Sequence, residues 1–87
     1  MRTSLQFTEA MITWLNALIA RPDVTVDADT PLFEGGLIDS IRILELIAWT
    51  EDAIGAVIPD ARIRMDNFRT VRRIAEVFAM EDNDAAA

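Results

Sequence analysis

Residues 34–41 read Glu34-Gly35-Gly36-Leu37-Ile38-Asp39-Ser40-Ile41, and a strongly apolar segment follows them. The two glycines predict a turn, and the segment after them has the spacing of an α-helix. Asp39 is the better N-cap of that helix, because its short carboxylate accepts backbone N–H bonds and suits the positive end of the helix dipole. The hydroxyl of Ser40 is then left free at the mouth of the helix.

The helix that this stretch opens is predicted to run from Ser40 to Ile54 and to stop at Gly55. Its sequence carries two apolar stripes at helical spacing, displaced from each other around the axis. Such a helix is either buried on both faces or contacts a partner with one of them. The stripe predicted to face the core contains Ile43, Leu46, Ile47, Thr50 and Ile54. The other stripe contains Ile41, Leu44 and Ala48.

Two further amphipathic helices flank this one. The first is predicted to open at Thr8 and to end at Arg21-Pro22, since the residue before a proline is pushed out of the α region. The last is predicted to follow a short helical turn near residues 66–68 and to be capped by Thr70. The first core face contains Met11, Ile12, Leu15, Leu18 and Ile19. The last contains Val71, Ile74, Val77 and Phe78.

Residues 22–39 form a long loop between the first two helices. Loops longer than about 12 residues are usually either functional or disordered. Four apolar side chains in this loop favour an ordered, functional one: Val24, Val26, Leu32 and Phe33. The predicted fold class is therefore all-α, a small bundle of three to four helices with a long first loop. We expect one domain over residues 1–80 and a disordered acidic and alanine-rich tail over residues 81–87.

Composition excludes several classes of function. The 87 residues allow one domain with a small core, and 15 acidic against 8 basic side chains give a net charge of −7, which disfavours nucleic-acid binding. The chain has no cysteine, histidine or tyrosine, so it lacks thiolate metal ligands and the commonest general acid/base. We therefore expect no catalytic residues and no metal site. The apolar stretch 10–20 is shorter than the ~20 residues that span a bilayer, so we expect a cytoplasmic protein without a membrane segment.

The run from Leu32 to Ile41, followed by an apolar helix with acidic residues, resembles the 4'-phosphopantetheine attachment region of acyl carrier proteins. This resemblance covers nearly the whole domain. The Gly-Leu-Ile-Asp-Ser spacing of residues 36–40 is similar to that of D-alanyl and discrete aminoacyl carrier proteins, as is the run Asp-Asn-Phe-Arg-Thr-Val at residues 66–71. Arg42 stands where fatty-acid carriers commonly place an acidic residue.

The resemblance implies a bundle of the acyl-carrier type, in which Ser40 carries 4'-phosphopantetheine from coenzyme A and Asp39 caps the helix beside it. A phosphodiester on Ser40 is expected to gain hydrogen bonds from unpaired N–H groups and stabilisation from the helix dipole. The implied partners of this monomer are a phosphopantetheinyl transferase, an amino-acid- or acyl-activating ligase that loads the arm as a thioester, and a downstream acceptor enzyme. The expected partner surface contains Leu37, Ile41, Arg42, Leu44, Glu45 and Ala48.

Two alternatives stay open beside the aminoacyl carrier. One is an acyl carrier for fatty-acid or polyketide-type chemistry. The other is a helical interaction module without a prosthetic group, which would bind its partner through Ile41, Leu44 and Ala48. Outside this region, Trp14 and Trp49 are predicted to lie in the core or at its edge. The late arginines are predicted to form a solvated face that balances the acidic domain: Arg62, Arg64, Arg69, Arg72 and Arg73.

Overall fold

The computed structural model describes residues 3–79, and the expected tail over residues 81–87 lies outside them. Within this range the elements are α1 (Ser4–Ile19), α2 (Arg42–Ile54), two short 3₁₀ turns (Asp60–Arg62 and Met65–Phe68) and α3 (Val71–Phe78). The described part of the chain contains no strand, so the predicted all-α class is confirmed. The 3₁₀ turn at Asp60–Arg62 was not predicted, because three residues are too few to show a periodicity.

Helix α1 begins four residues earlier than predicted. Thr3 is its N-cap: the hydroxyl of Thr3 accepts from the N–H of Gln6 at 3.1 Å, and the Gln6 side chain accepts from the N–H of Thr3 at 3.0 Å. This reciprocal capping box satisfies two N–H groups that the helix cannot pair internally. The predicted start at Thr8 is therefore wrong, and the earlier start places Phe7 in the core with only 1% of its surface exposed.

The core lies where α1, α2 and α3 meet, and it receives side chains from all three helices and from the long loop. Its fully buried members include Phe7, Met11, Leu15, Leu46, Phe68, Val71 and Ile74. The loop contributes Val26, Leu32 and Ile38. Ile43, Ile47 and Ile54 pack on it half-buried, so the predicted core face of α2 is confirmed. Trp14 and Trp49 stack on each other at the core edge, with ring centroids 5.5 Å apart, as predicted.

The long loop is ordered by hydrogen bonds to two helices. The Asn16 side chain bonds the backbone of Val26 in both directions, as donor to its carbonyl at 3.2 Å and acceptor from its N–H at 2.9 Å. Near α3, the N–H of Leu32 donates to the carbonyl of Arg69 at 2.9 Å. Arg72 donates its backbone N–H to Ala28 and forms a two-pronged ion pair with the Asp29 carboxylate. These bonds hold the segment that leads to Ser40 in one position.

The end of α2 and the start of α3 follow the predicted chemistry. Gly55 ends α2 with a positive φ of 69°, and the Thr70 hydroxyl accepts from the N–H of Arg73 at 3.0 Å to cap α3. Most of the late arginines are exposed, and their ion pairs reach acidic residues of the same domain. The predicted solvated, charge-balancing face is confirmed for these pairs: Arg72 with Asp29, Arg69 and Arg73 with Asp66, and Arg73 with Glu76.

Candidate functional site

Ser40 lies in the turn immediately before α2, and its side chain is exposed. The turn is held from both sides: the N–H of Ile38 donates to the carbonyl of Leu32 at 2.8 Å, and Ile38 itself is buried. The backbone on both sides of Ser40 is bonded into the start of the helix, since the carbonyl of Asp39 accepts from the N–H of Ile43 at 3.0 Å and that of Ile41 from the N–H of Leu44 at 3.1 Å. The hydroxyl is therefore presented to solvent from a fixed point of the backbone.

Asp39 caps α2 through its carboxylate. One oxygen of that carboxylate, Oδ1, accepts from the backbone N–H of Ile41 at 3.0 Å and from that of Arg42 at 2.8 Å. These bonds, with that of Arg42 the stronger cause and that of Ile41 the second, hold the pKa of Asp39 below its usual value. Ser40 and Ile41 form a turn between the capping carboxylate and the helix, so α2 begins at Arg42 and not at Ser40 as predicted, while the predicted capping role of Asp39 is confirmed.

The capping arrangement corrects one expectation about Ser40. The N–H groups of Ile41 and Arg42 bond the Asp39 carboxylate, and the N–H of Ile43 donates to the carbonyl of Asp39 at 3.0 Å. With the N–H of Leu44 also paired, the first turn of α2 has no free donor for a phosphodiester on Ser40. The dipole of the helix still favours an anion there, but the expected hydrogen bonds are already made within the chain.

A cavity of about 340 Å³ opens beside Ser40, which we call the Ser40 pocket. Its walls are mainly apolar, and its polar members are Asp39 and Ser40. The complete lining is Phe33, Ile38, Asp39, Ser40, Ile43 and Met65. Met65 belongs to the second 3₁₀ turn and keeps 63% of its surface exposed, so it contributes a flexible apolar wall to the pocket that Ser40 also lines.

The sequence did not assign Phe33 and Met65 to this site. Phe33 was predicted to be a core anchor, and it does pack partly on the core, but it also lines the Ser40 pocket. Met65 lies 25 positions after Ser40 in the chain and reaches it only through the fold. The sequence offered one signal for Met65. Its unbranched apolar side chain lies between two charged residues, Arg64 and Asp66, which is unusual for a buried position.

The predicted partner surface divides into an exposed part and a packed part. Ile41 is 72% exposed and Leu44 is 66% exposed, and Glu45 and Ala48 are exposed beside them. The helix thus presents a small apolar stripe with a carboxylate at its edge, next to Ser40. Leu37, in contrast, is half-buried and packs on the core.

Arg42 is also half-buried, and its guanidinium has a partner inside the chain. Its Nη1 donates to the carbonyl of Leu18 at 3.3 Å, in the last turn of α1. The last carbonyls of a helix lack internal donors, so a cation there satisfies one of them and suits the negative end of the dipole. Arg42 therefore ties the end of α1 to the start of α2, beside Ser40.

The two glycines before the site differ in what they require. Gly36 has a φ of +75°, a conformation that side-chain-bearing residues rarely adopt, and its N–H donates to the carbonyl of Phe33 at 3.0 Å. Gly35 has no positive φ, and a Cβ there would meet no atom within 4 Å. The turn into the Ser40 segment thus depends on Gly36.

Residues 3–79 contain neither a metal site nor a membrane-spanning helix. No group of three or more histidine, cysteine, aspartate or glutamate side chains in this range is arranged to hold a metal ion. None of the helices found there combines the length and the apolar character that crossing a membrane requires.

Comparison with known proteins supports the family that the motif indicates. The family described as "Phosphopantetheine attachment site" matches residues 5–78, which include all three helices, the long loop and the Asp39-Ser40 pair. A search of curated proteins gives no match. Since the family match spans most of the 87 residues, this chain belongs to the phosphopantetheine attachment site family, whose members are carrier proteins with covalently bound 4'-phosphopantetheine.

Proposed function

We propose that this protein carries an aminoacyl group on a 4'-phosphopantetheine arm attached to Ser40, and delivers it from a ligase to a downstream enzyme. The observation that carries the attachment site is the exposed hydroxyl of Ser40 in the fixed turn before α2. The only other serine of the chain, Ser4, is the first residue of α1. Its position lacks the preceding glycine turn and the neighbouring apolar stripe.

The residues around Ser40 fit this prosthetic group. On transfer from coenzyme A, the exposed Ser40 hydroxyl loses its proton and bonds to the phosphorus that carries the pantetheine, while the pyrophosphate bond breaks and adenosine 3',5'-bisphosphate leaves. Asp39 keeps its carboxylate on the N–H groups of α2, so it fixes the turn without covering the hydroxyl. The apolar walls of the Ser40 pocket, Phe33, Ile43 and Met65, suit the dimethyl part of the arm. When bound, the group supplies a terminal thiol that holds the cargo as a thioester.

The exposed stripe of α2 is the proposed contact surface for the transferase, the ligase and the acceptor enzyme. Ile41, Leu44 and Ala48 provide apolar area next to Ser40, and Glu45 adds charge at the rim. Apolar side chains at the centre of an interface contribute affinity, while rim charges mainly affect association rate and partner choice. Leu37 and Arg42 contribute contacts at the edge of this surface, since both are half-buried and partly accessible.

The aminoacyl cargo is supported by the motif and by Arg42. The Gly-Leu-Ile-Asp-Ser spacing of residues 36–40 and the run 66–71 resemble those of aminoacyl carriers. Arg42 replaces the acidic residue that fatty-acid carriers commonly present there, and its bond to the carbonyl of Leu18 gives the arginine a role in the fold. The contact surface therefore differs in charge from the one that fatty-acid enzymes recognise.

Loading of the modified protein tests the cargo. The phosphopantetheinylated protein is incubated with ATP and either amino-acid-activating ligases with their amino acids or acyl-activating ligases with fatty acids, and intact mass is measured. We expect mass gains of aminoacyl groups that hydroxylamine removes, as it does for thioesters. Charging by the acyl-activating ligases alone would replace this cargo with the fatty-acid or polyketide type. If Ser40→Ala keeps full function and Leu44→Glu abolishes partner binding, the protein is instead an unmodified interaction module.

A further inference from the structure

A second cavity continues from the Ser40 pocket on the far side of Phe33 and Met65. It has a volume of about 510 Å³, and we call it the Arg69 pocket. Phe33 and Met65 line both cavities, so these two side chains form the partition between them. The remaining lining is Pro31, Glu34, Asp66, Arg69 and Thr70. Together the two cavities form a groove that has Ser40 in the lining of one end, the Phe33 and Met65 partition in the middle and charged side chains at the other end.

The two carboxylates of this end, Asp66 and Glu34, differ in whether they have an ion-pair partner. Asp66 is already paired with two arginines, at 3.3 Å to Nη1 of Arg69 and at 3.7 Å to Nη2 of Arg73. Glu34 is exposed, and within the described range of the chain it forms no ion pair. Of the charged groups that line the Arg69 pocket, two are carboxylates, Glu34 and Asp66, and one is a guanidinium, that of Arg69. Asp66 is held by Arg69 and Arg73, so Glu34 is the lining carboxylate that has no ion-pair partner in residues 3–79 and can bind a cation.

We propose that the Arg69 pocket holds the cargo end of the arm attached to Ser40 and that Glu34 binds the α-ammonium group of an aminoacyl cargo. The proposal rests on the proposed function, because it needs an arm on Ser40. Position and charge both favour this occupant: Ser40 lines one end of the groove, and the free carboxylate complements a cation. A neutral acyl group gains nothing from Glu34, and an anionic cargo is repelled by it.

Met65 makes passage between the two cavities feasible. Its unbranched thioether side chain has three rotatable bonds and is mostly exposed, so it can swing away from Phe33 without disturbing the core. Phe33 is held more firmly, because it packs partly on the core. Met65 is therefore the wall that moves when the arm lies in the groove.

An isosteric pair of cargoes tests the proposal. The full-length chain is loaded, by a phosphopantetheinyl transferase and analogues of coenzyme A, with an arm that ends in an alanyl amide or an isobutyryl amide. These cargoes differ only in an ammonium group against a methyl group, and the amide avoids hydrolysis. Two-dimensional amide spectra of the ¹⁵N-labelled protein are compared for the unmodified, unloaded-arm, alanyl and isobutyryl forms.

We expect the alanyl cargo to shift the backbone amides of Glu34, Asp66 and Arg69 more than the isobutyryl cargo does. Exposed charge pairs contribute modestly, so the expected difference in pocket occupancy is about two- to five-fold. Glu34→Gln should remove this difference, because it keeps the shape of the side chain and deletes its charge. Glu9→Gln is the matched control, since Glu9 is exposed on α1 and does not line either cavity, and it should retain the difference.

Three results would overturn the inference. Equal shifts for both cargoes would show that the ammonium group is not recognised. Shifts no larger than those of the unloaded arm would show that the cargo stays outside the Arg69 pocket. With either of these first two results, the mass gain still shows that the arm is attached, so the proposed attachment at Ser40 stands while this inference fails. Absence of any mass gain would overturn both together.

Discussion

The carboxylate of Asp39 accepts the backbone N–H of Arg42 at 2.8 Å and so caps the start of α2 directly beside the exposed Ser40. The same oxygen also accepts the N–H of Ile41 at 3.0 Å. Two adjacent residues thus have separate roles, one in capping the helix and the other in presenting a hydroxyl to solvent. Asp39 satisfies the helix terminus, and Ser40 keeps a hydroxyl that no bond in the helix start requires.

The Asp39 cap predicts a pH dependence of stability. The N–H bonds of Arg42 and Ile41 lower the pKa of Asp39 in the folded state, so the cap stabilises the fold fully above the unfolded pKa, about 4. Its contribution is lost as pH falls through the lower, folded pKa. Asp39→Ala should lower the melting temperature at pH 7, and the gap to the parent should shrink below about pH 4. Asp39→Asn, which keeps a capping oxygen, should lie between them at pH 7.

Thermal unfolding followed by circular dichroism between pH 7 and pH 3 checks this prediction. Asp29 also has a lowered pKa, caused first by its hydrogen bond to Arg72, and it titrates in parent and variant alike. The difference between the two proteins therefore isolates Asp39. A gap that stays constant across this range would contradict the assigned role of the carboxylate.

Leu44 and Leu46 provide a matched pair on α2. Leu46 is fully buried, so Leu46→Ala should lower the free energy of unfolding by about 2–5 kcal/mol. Leu44 is 66% exposed, so Leu44→Glu should change it by less than about 0.5 kcal/mol. Only Leu44→Glu should slow phosphopantetheinylation without unfolding the protein. Urea denaturation and initial rates of modification measure the two effects, and an unchanged rate for folded Leu44→Glu would remove Leu44 from the contact surface.

Gly35 and Gly36 provide a second matched pair. Gly36→Ala forces a side chain into a φ of +75° and should cost about 1–2 kcal/mol of the free energy of unfolding. Gly35→Ala adds a methyl group into open space at an ordinary φ, and we expect no loss of stability. Urea denaturation of both variants gives the comparison. Equal losses would mean that the turn depends on the absence of side chains rather than on backbone conformation.

Arg42 should stabilise the fold through its bond to the carbonyl of Leu18. Arg42→Ala is expected to lower the free energy of unfolding by about 1 kcal/mol, the size of one such hydrogen bond. Arg64→Ala is the control, because Arg64 is exposed and its side chain makes no hydrogen bond to residues 3–79. Equal effects of the two substitutions in urea denaturation would show that the contact between Arg42 and Leu18 contributes nothing.

Local patterns predicted the helices well where neighbouring residues determine them. The end of α2 at Gly55 and the start of α3 at Thr70 each depend on one residue and its nearest backbone groups, and both positions were predicted correctly. The start of α1 was wrong, since the capping box of Thr3 and Gln6 competes with a plausible start at Thr8 and the sequence alone does not rank them. The start of α2 was two residues too early, because Ser40 and Ile41 form a turn under the Asp39 cap.

The site was predictable in its chemistry and only partly in its geometry. Ser40 and Asp39 were identified from a contiguous motif. The contact of Arg42 with Leu18 joins positions 24 residues apart, and the approach of Met65 to Ser40 joins two separate elements, so neither leaves a periodic signal. The occupied N–H groups of α2 follow from the side-chain conformation of Asp39, which a sequence does not specify.

The most direct measurement is intact mass after incubation with coenzyme A and a broad-specificity phosphopantetheinyl transferase, with Ser40→Ala and Ser4→Ala measured beside the parent. The parent and Ser4→Ala should each gain one phosphopantetheinyl group, and Ser40→Ala should gain none. A folded parent that gains no mass, or a Ser40→Ala variant that is still modified, would contradict the assignment of Ser40 as the attachment site.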